Sequence, residues 1–232
     1  MKIGGLQKTS FVDYPGKVVA VVFTLGCNFR CPFCHNGFLV DGDKELISEN
    51  DFFEFLEKKK KVLDGVCVSG GEPTIQNDIF DFVKKIKDMG MAVKLDTNGT
   101  RPEEVKKLID AKLLDYVAMD FKNRFCDYAK TVGLKKVEME NIKKSMKILV
   151  KSGVGFELRI TIVPGLHTKE SLTEGARELV KIVGKKVNWY WQNFRPIGCL
   201  DESYCKKRSF KVGELEEWTK EVKKVLKNVR LR

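Results

Sequence analysis

No run of about 18 consecutive apolar residues occurs in this 232-residue chain, which excludes a membrane-spanning helix. The opening Met-Lys-Ile-Gly-Gly-Leu-Gln lacks the apolar centre of a secretory signal, so export is not expected. A cytoplasmic protein is expected instead, with its seven cysteines reduced or metal-bound rather than paired. Internal repeats, low-complexity tracts and long linkers are also missing, so nothing divides the chain into separate domains. What is present is a globular composition, 43% hydrophobic and 32% charged, long enough to bury a core without disulfide staples.

The net charge is +11, and its placement says more than its size. Residues 206–232 hold ten Lys/Arg against four Glu, so more than half of the surplus sits in the last 27 residues. This distribution argues against a nucleic-acid groove spread over the whole molecule. It fits a solvated basic face on a terminal helix, or a docking surface for an acidic partner.

Six strand-then-helix units can be read along the chain. Short β-branched or apolar runs at 18–25, 65–69, 92–96, 116–120, 156–163 and 187–194 predict strands. Between them lie helical patterns starting near Ser48, at 78–89 with Asn77 as the cap, at 102–111 behind Pro102, at 139–151 and at 171–183. The last predicted helix carries Val212, Leu215, Trp218, Val222, Val225 and Val229 as one apolar stripe. Alternating strands and helices imply a parallel sheet with right-handed crossovers. Six units are too few for a complete eight-fold barrel, so the expectation is a single-domain α/β fold, a partial (β/α)6 TIM-like barrel or a flat doubly wound sheet. In either, ligands belong at the C-terminal ends of the strands, and most of the chain's unusual polar residues fall there.

Directly after the first predicted strand comes Cys27-Asn-Phe-Arg-Cys31-Pro-Phe-Cys34-His35-Asn36. Cys31-x-x-Cys34 alone matches a thiol-redox pair, which leaves Cys27 unexplained. Adding His35 matches c-type haem attachment, a chemistry of exported proteins. A zinc site needs a fourth ligand, from His35 or a distant cysteine. Three thiolates on one tight loop also suit three corners of a [4Fe-4S] cube, leaving one iron open to a ligand.

Cys-x-x-x-Cys-x-x-Cys at a strand end, with Phe33 before its last cysteine, resembles the radical S-adenosylmethionine (SAM) superfamily. Ser69-Gly70-Gly71-Glu72-Pro73 resembles that superfamily's Gly-Gly-Glu motif. Asp96-Thr97-Asn98-Gly99 and Asp120-Phe121-Lys122 resemble motifs of its glycyl-radical activating enzymes. Gly5-Leu6-Gln7-Lys8-Thr9-Ser10, Asp13-Tyr14-Pro15-Gly16 and the 26–36 stretch are similar to the longer activating proteins of anaerobic ribonucleoside-triphosphate reductase. The similarity runs from Lys2 to about Pro196, which sets an expected core domain at 1–198. Residues 199–232 are then a loop and a basic amphipathic helix packed on the same domain.

The resemblance implies the chemistry. Cys27, Cys31 and Cys34 would hold a [4Fe-4S] cluster, whose open iron chelates S-adenosyl-L-methionine. Reductive cleavage would yield a 5′-deoxyadenosyl radical that takes a hydrogen from a glycine of the partner, the anaerobic reductase. Reduced flavodoxin or ferredoxin would be the electron donor. Phe33, Gly70, Gly71, Glu72, Asp96, Asn98, Lys122 and Arg159 are the expected cofactor contacts. Gly70 and Gly71 would allow close backbone approach, Glu72 would pair with the methionyl ammonium and Lys122 with the carboxylate. Asp96 and Asp120 would hold ribose hydroxyls or a cation. Arg159, a charge inside an apolar strand, needs a partner. His35 and Asn36 flank the cluster, Arg195 is a weaker contact, and His167 is expected to be a solvated loop residue. Cys67 is expected to be a buried apolar-like residue; Cys126, Cys199 and Cys205 have no assigned role. The dense extra cysteines of a ferredoxin-like insert are missing, which argues against a multi-cluster activase. A different partner protein or a small-molecule substrate would leave the same core motifs. A non-enzymatic iron–sulfur or zinc module would need only the cysteines.

Overall fold

Side chains alternate along the strands between a helix-covered face and a polar one. Val66, Val68, Val93, Leu95, Val117, Leu158, Ile160, Trp189 and Trp191 are buried on the outer face. Lys94, Glu157, Arg159, Thr161 and Gln192 turn the other way and line an interior lumen. That period of two follows from the pleat, and it sends both tryptophans of one strand into the apolar core.

The computed structural model describes residues 1–42 and 46–232. The strands are β1 (Ile3–Ser10), β2 (Val19–Thr24), β3 (Gly65–Gly70), β4 (Ala92–Thr97), β5 (Tyr116–Asp120), β6 (Gly155–Ile162), β7 (Trp189–Asn193) and β8 (Val229–Leu231). They form one sheet in chain order, β1 to β8. β1 runs antiparallel to β2, and all later neighbours are parallel. Among the described residues β1 and β8 are not paired to each other, so this is a partial barrel, open along one side.

The helices are α1 (Gly37–Val40), α2 (Glu49–Lys59), α3 (Ile79–Asp88), α4 (Pro102–Asp110), α5 (Tyr128–Thr131), α6 (Met139–Ser152), α7 (Lys169–Val183), α8 (Glu202–Cys205) and α9 (Val212–Lys223). Their ends follow local chemistry. Ser48 accepts from the Asp51 amide to start α2. Thr168 and Ser171 form a reciprocal cap on α7. Gly153, at φ 74°, ends α6 in the left-handed region.

The six expected strands are β2 to β7. Besides the short helices α1, α5 and α8, which were not expected, three elements differ. β1 was not expected as a strand, and the terminal helix is shorter than its stripe suggested. α9 stops at Lys223, so Val225 and Val229 are not on it. Val229 instead starts β8, pairing with Trp189 and extending the same sheet. The cap of α3 is Asp78 rather than Asn77.

Candidate functional site

The cysteine loop leaves β2 and is held by backbone hydrogen bonds from several parts of the chain. Gly26 N–H donates to Leu39 O at 2.7 Å, and Arg30 N–H to Val132 O at 2.9 Å. From the other side, Leu200 N–H donates to Cys34 O at 3.0 Å and Asp201 N–H to Pro32 O at 2.9 Å. A Cβ on Gly133 would sit 2.1 Å from Arg30 O, so only glycine lets this segment come so close. Val132, Leu200 and Asp201 carried no functional reading in the sequence, because the Val132 carbonyl and the Leu200 and Asp201 amides are backbone groups that almost any residue type can supply.

All seven cysteines are free thiols. Cys31 is buried, and Cys27 and Cys34 are half-buried. Burial pushes the Cys27 thiol up to about 11 and Cys31 up to about 12, while the nearby Lys122 ammonium works against it. Phe29 and Phe33 are buried in the main core beside the loop; Phe33 therefore acts as packing under the cysteines. Thiols this dry ionise readily only against a concentrated positive charge, which an iron–sulfur cluster supplies. Among the described residues no three His, Cys, Asp or Glu side chains converge as they would on a single metal ion. Three free thiols on one braced, aromatic-backed loop are the ligand set that a [4Fe-4S] cube with one open iron requires.

The Gly70-Gly71 step is tight for a different reason from the one expected. A Cβ on Gly71 would lie 2.0 Å from Gly26 O, and one on Gly70 (φ +128°) 2.1 Å from Thr24 N. The close approach is to β2 and the start of the cysteine loop. Gly71 N–H donates to Thr24 O and Glu72 N–H to Gly26 O, both at 2.9 Å. Glu72 is likewise a fastening. Its side chain, 1% exposed, accepts from the Thr74 amide and hydroxyl, from Thr97 Oγ1 at 2.7 Å and from Asn98 N at 2.6 Å. Both oxygens are occupied, so this geometry does not offer the expected ion pair with an incoming ammonium. Asn98 in turn donates to Asn28 Oδ1 at 2.8 Å, tying the end of β4 to the cysteine loop.

The inner-face charges form one chain. Arg159 Nη1 lies 3.1 Å from Asp96 Oδ2, and its Nε lies 3.3 Å from Asp120 Oδ1. That second contact is a charge contact without hydrogen-bond alignment, and it leaves Arg159 Nε a buried donor with no partner. Lys94 bonds to Asp96, Ser69 Oγ donates to Asp96 at 3.2 Å, and Lys122 reaches Asp120 Oδ2 at 2.8 Å. Burial alone would raise both carboxylates; Arg159 and Lys94 outweigh it and hold Asp96 at about 2. Asp120 is lowered against the same burial, by Lys122 and then Arg159. The guanidinium of Arg159 thus stands between Asp96 and Asp120, where a bound cation was expected. Three cations face two carboxylates in this chain, and of the three it is Lys122 that acts on Cys27 and Cys31. The lumen, about 970 Å³, runs from Phe11–Gly16 past Arg159 to His35 and Arg195.

His35 approaches Arg195 O at 2.6 Å, joining the cysteine loop to the end of β7. The Asn36 side chain makes no capping bond to α1. Contrary to expectation, His167 is buried. Its Nδ1 accepts from Val163 N–H at 2.9 Å, which leaves Nε2 to donate to Lys122 O at 2.8 Å. Burial pushes this imidazole down to about 4, against the pull of its two backbone bonds. His167 thus fixes the backbone that carries Lys122. Above pH 6.5 the imidazole is neutral whether the chain is folded or not. As pH falls from 6.5 towards 4, only the unfolded chain gains the proton, so stability is lost across that window. Denaturant titrations at pH 7.5 and 4.5 are expected to show about 2–3 kcal/mol of loss from this residue. His167→Phe is expected to be less stable at pH 7.5 but to lack that share of the slope.

Residues 21–174, well over half of the chain, match the family described as the Radical SAM superfamily. The chain belongs to the radical SAM superfamily. Radical SAM proteins use a [4Fe-4S] cluster and S-adenosylmethionine, in agreement with the cysteine loop. The chain is 36% identical, over 99% of its length and 95% of the relative's, to a candidate glycyl-radical enzyme activating enzyme of Methanocaldococcus jannaschii. It is 30% identical to the pyruvate formate-lyase-activating enzyme of Clostridium pasteurianum, over 97% of this chain and 94% of that one. In kind it is therefore a radical SAM protein like the glycyl-radical enzyme activases. Among solved structures, Streptococcus suis SuiB bound to S-adenosylmethionine superposes with a TM-score of 0.68 at 19% identity. That match covers 91% of this chain and 49% of SuiB, so this chain spans about half of that protein's length. Archaeal TYW1 superposes at 0.61, with 14% identity, over 89% of this chain and 72% of that one. These two similarities concern the fold. No helix among the described residues is long and apolar enough to cross a membrane.

Proposed function

We propose that this protein installs a glycyl radical on a partner enzyme, and that the partner is the anaerobic ribonucleoside-triphosphate reductase. The observation that carries the reading is three free thiols, one buried and two half-buried, on one braced loop with the Lys122 ammonium acting on them. When bound, the reduced cluster and S-adenosylmethionine supply a 5′-deoxyadenosyl radical able to take hydrogen from a glycine Cα. Cys27, Cys31 and Cys34 hold the cluster. Lys122 and Arg159 present positive charge to the methionyl carboxylate, and Asn98 with Gly70–Glu72 keeps the cysteine loop in register with β4. Phe29 and Phe33 keep water from behind the thiols.

The unpaired side between β1 and β8 leaves room for a partner's glycine loop, which a closed barrel would obstruct. The choice of partner rests on the Gly5–Ser10, Asp13–Gly16 and 26–36 stretches. A second reading, activation of a pyruvate formate-lyase, is favoured by the full-length relative from Clostridium pasteurianum. Reduced flavodoxin or ferredoxin is the proposed donor, met by the basic surface of residues 206–232, in a cytoplasmic setting.

The test is anaerobic. The protein is loaded with iron and sulfide, reduced and mixed with S-adenosylmethionine, alone and with each partner. 5′-Deoxyadenosine is expected from the parent and none from Cys31→Ala. A glycyl-radical signal in the reductase alone supports the first partner, and one in the lyase alone moves the assignment to the second. Product without a radical on either protein would point to a small-molecule substrate. No product from a fully loaded, reduced protein would overturn the enzymatic reading.

A further inference from the structure

Two cysteines lie outside the cysteine loop but are built against it. Cys199 follows the turn after β7 and is buried; Cys205 ends α8 and is half-buried. The Cys199 amide donates to the Cys205 sulfur at 3.4 Å, and the two side chains are each other's thiol neighbours. The turn joining them is held in place: the Asp201 side chain accepts from Ser203 N–H at 2.9 Å, and Tyr204 meets Phe194 edge-on at 6.5 Å.

The same turn supplies Leu200 N–H and Asp201 N–H to the carbonyls of Cys34 and Pro32. A Cβ placed on Gly37, just past the loop, would come within 3.2 Å of Leu200 Cα. The thiol pair and the cysteine loop thus pack against one strap, with Cys34 itself among the groups that act on Cys199. No third His, Cys, Asp or Glu among the described residues joins the pair to make a metal site.

We propose that Cys199 and Cys205 form a dithiol–disulfide site that reacts with low-molecular-weight disulfides and, once oxidised, stiffens the strap against the cysteine loop. The more exposed Cys205, as thiolate, attacks one sulfur of the small disulfide. A mixed disulfide forms and one small thiolate leaves. Cys199 then loses its proton and attacks the Cys205 sulfur, expelling the second small thiolate. Two protein thiols become one disulfide, the reagent is reduced to two thiols, and no electron passes to or from the cluster.

The inference is independent of the proposed activity, and its test needs neither S-adenosylmethionine nor a partner protein. The anaerobically loaded protein is treated with glutathione disulfide, the remaining thiols are alkylated and the peptides are weighed. The expected product is a Cys199–Cys205 cross-link, with exposed Cys126 carrying at most glutathione. Cys199→Ser should stop at glutathione attached to Cys205, and Cys205→Ser should give no cross-link. Hydrogen exchange at the Leu200 and Asp201 amides should slow on oxidation, by up to about fifty-fold, the limit set by closing so short a ring. Full alkylation of both cysteines after treatment, or a disulfide joining either of them elsewhere, would overturn the site. Unchanged exchange at Leu200 and Asp201 in a cross-linked protein would overturn its coupling to the strap.

Discussion

Arg159→Met is expected to cost about 3–5 kcal/mol of folding stability, because it strips the shared cation from two buried carboxylates. Asp96 and Asp120 would keep only Lys94 and Lys122 as charged partners. In the parent, Asp96 sits at about 2, below the usual 3.9 of an aspartate. Its contribution is complete above pH 3.9 and is lost as pH falls through 2. In the variant burial is offset by Lys94 alone among these cations, the folded value rises, and acid unfolding moves to higher pH. Denaturant titrations at pH 7 and 4 check both parts. Equal stability of parent and variant would show that the guanidinium is not the shared partner. S-adenosylmethionine binding is expected to weaken as well, since Lys94 and Lys122 must then balance both carboxylates without Arg159.

Gly71→Ala is the second large effect. Its Cβ would be driven to 2.0 Å from Gly26 O and 3.2 Å from Cys27 N. Both atoms belong to backbone, which cannot rotate aside as a side chain would. Either the β2–β3 register or the cysteine loop must shift, at a cost of at least about 3 kcal/mol. Iron content after anaerobic loading should collapse even where the variant stays folded by circular dichroism. Gly90→Ala is the control: its Cβ meets nothing within 4 Å, and the cost is only that of its positive φ.

The parallel core was readable because each of β2 to β7 is a short β-branched or apolar run followed by helical periodicity. β1 was hidden by Gly4, Gly5 and a polar second half, and it gains its place by pairing with β2. Val229 fits a helical stripe as well as a strand, and only the turn after Lys223 decides between them. The chemical residues were legible by type and position at strand ends, but not by partner. Arg159 faces Asp120 because β5 and β6 pair in that register, which no local pattern encodes. Glu72 was read as reaching outwards, whereas four donors around it turn it inwards. His167 was read as solvated because a loop position says nothing of what folds over it.

The strands stand in the sheet in the order in which they occur in the chain. Each β/α unit can therefore dock on the one before it as it is synthesised, with few long loops to close. The cysteine loop is the exception. It belongs to the first parallel strand, yet two of its braces, the amides of Leu200 and Asp201, come from the last part of the chain to be made. Assembly starts at the cysteines and returns to them at the end. A nascent chain halted before residue 199 would carry the three cysteines on a loop still lacking these two backbone braces.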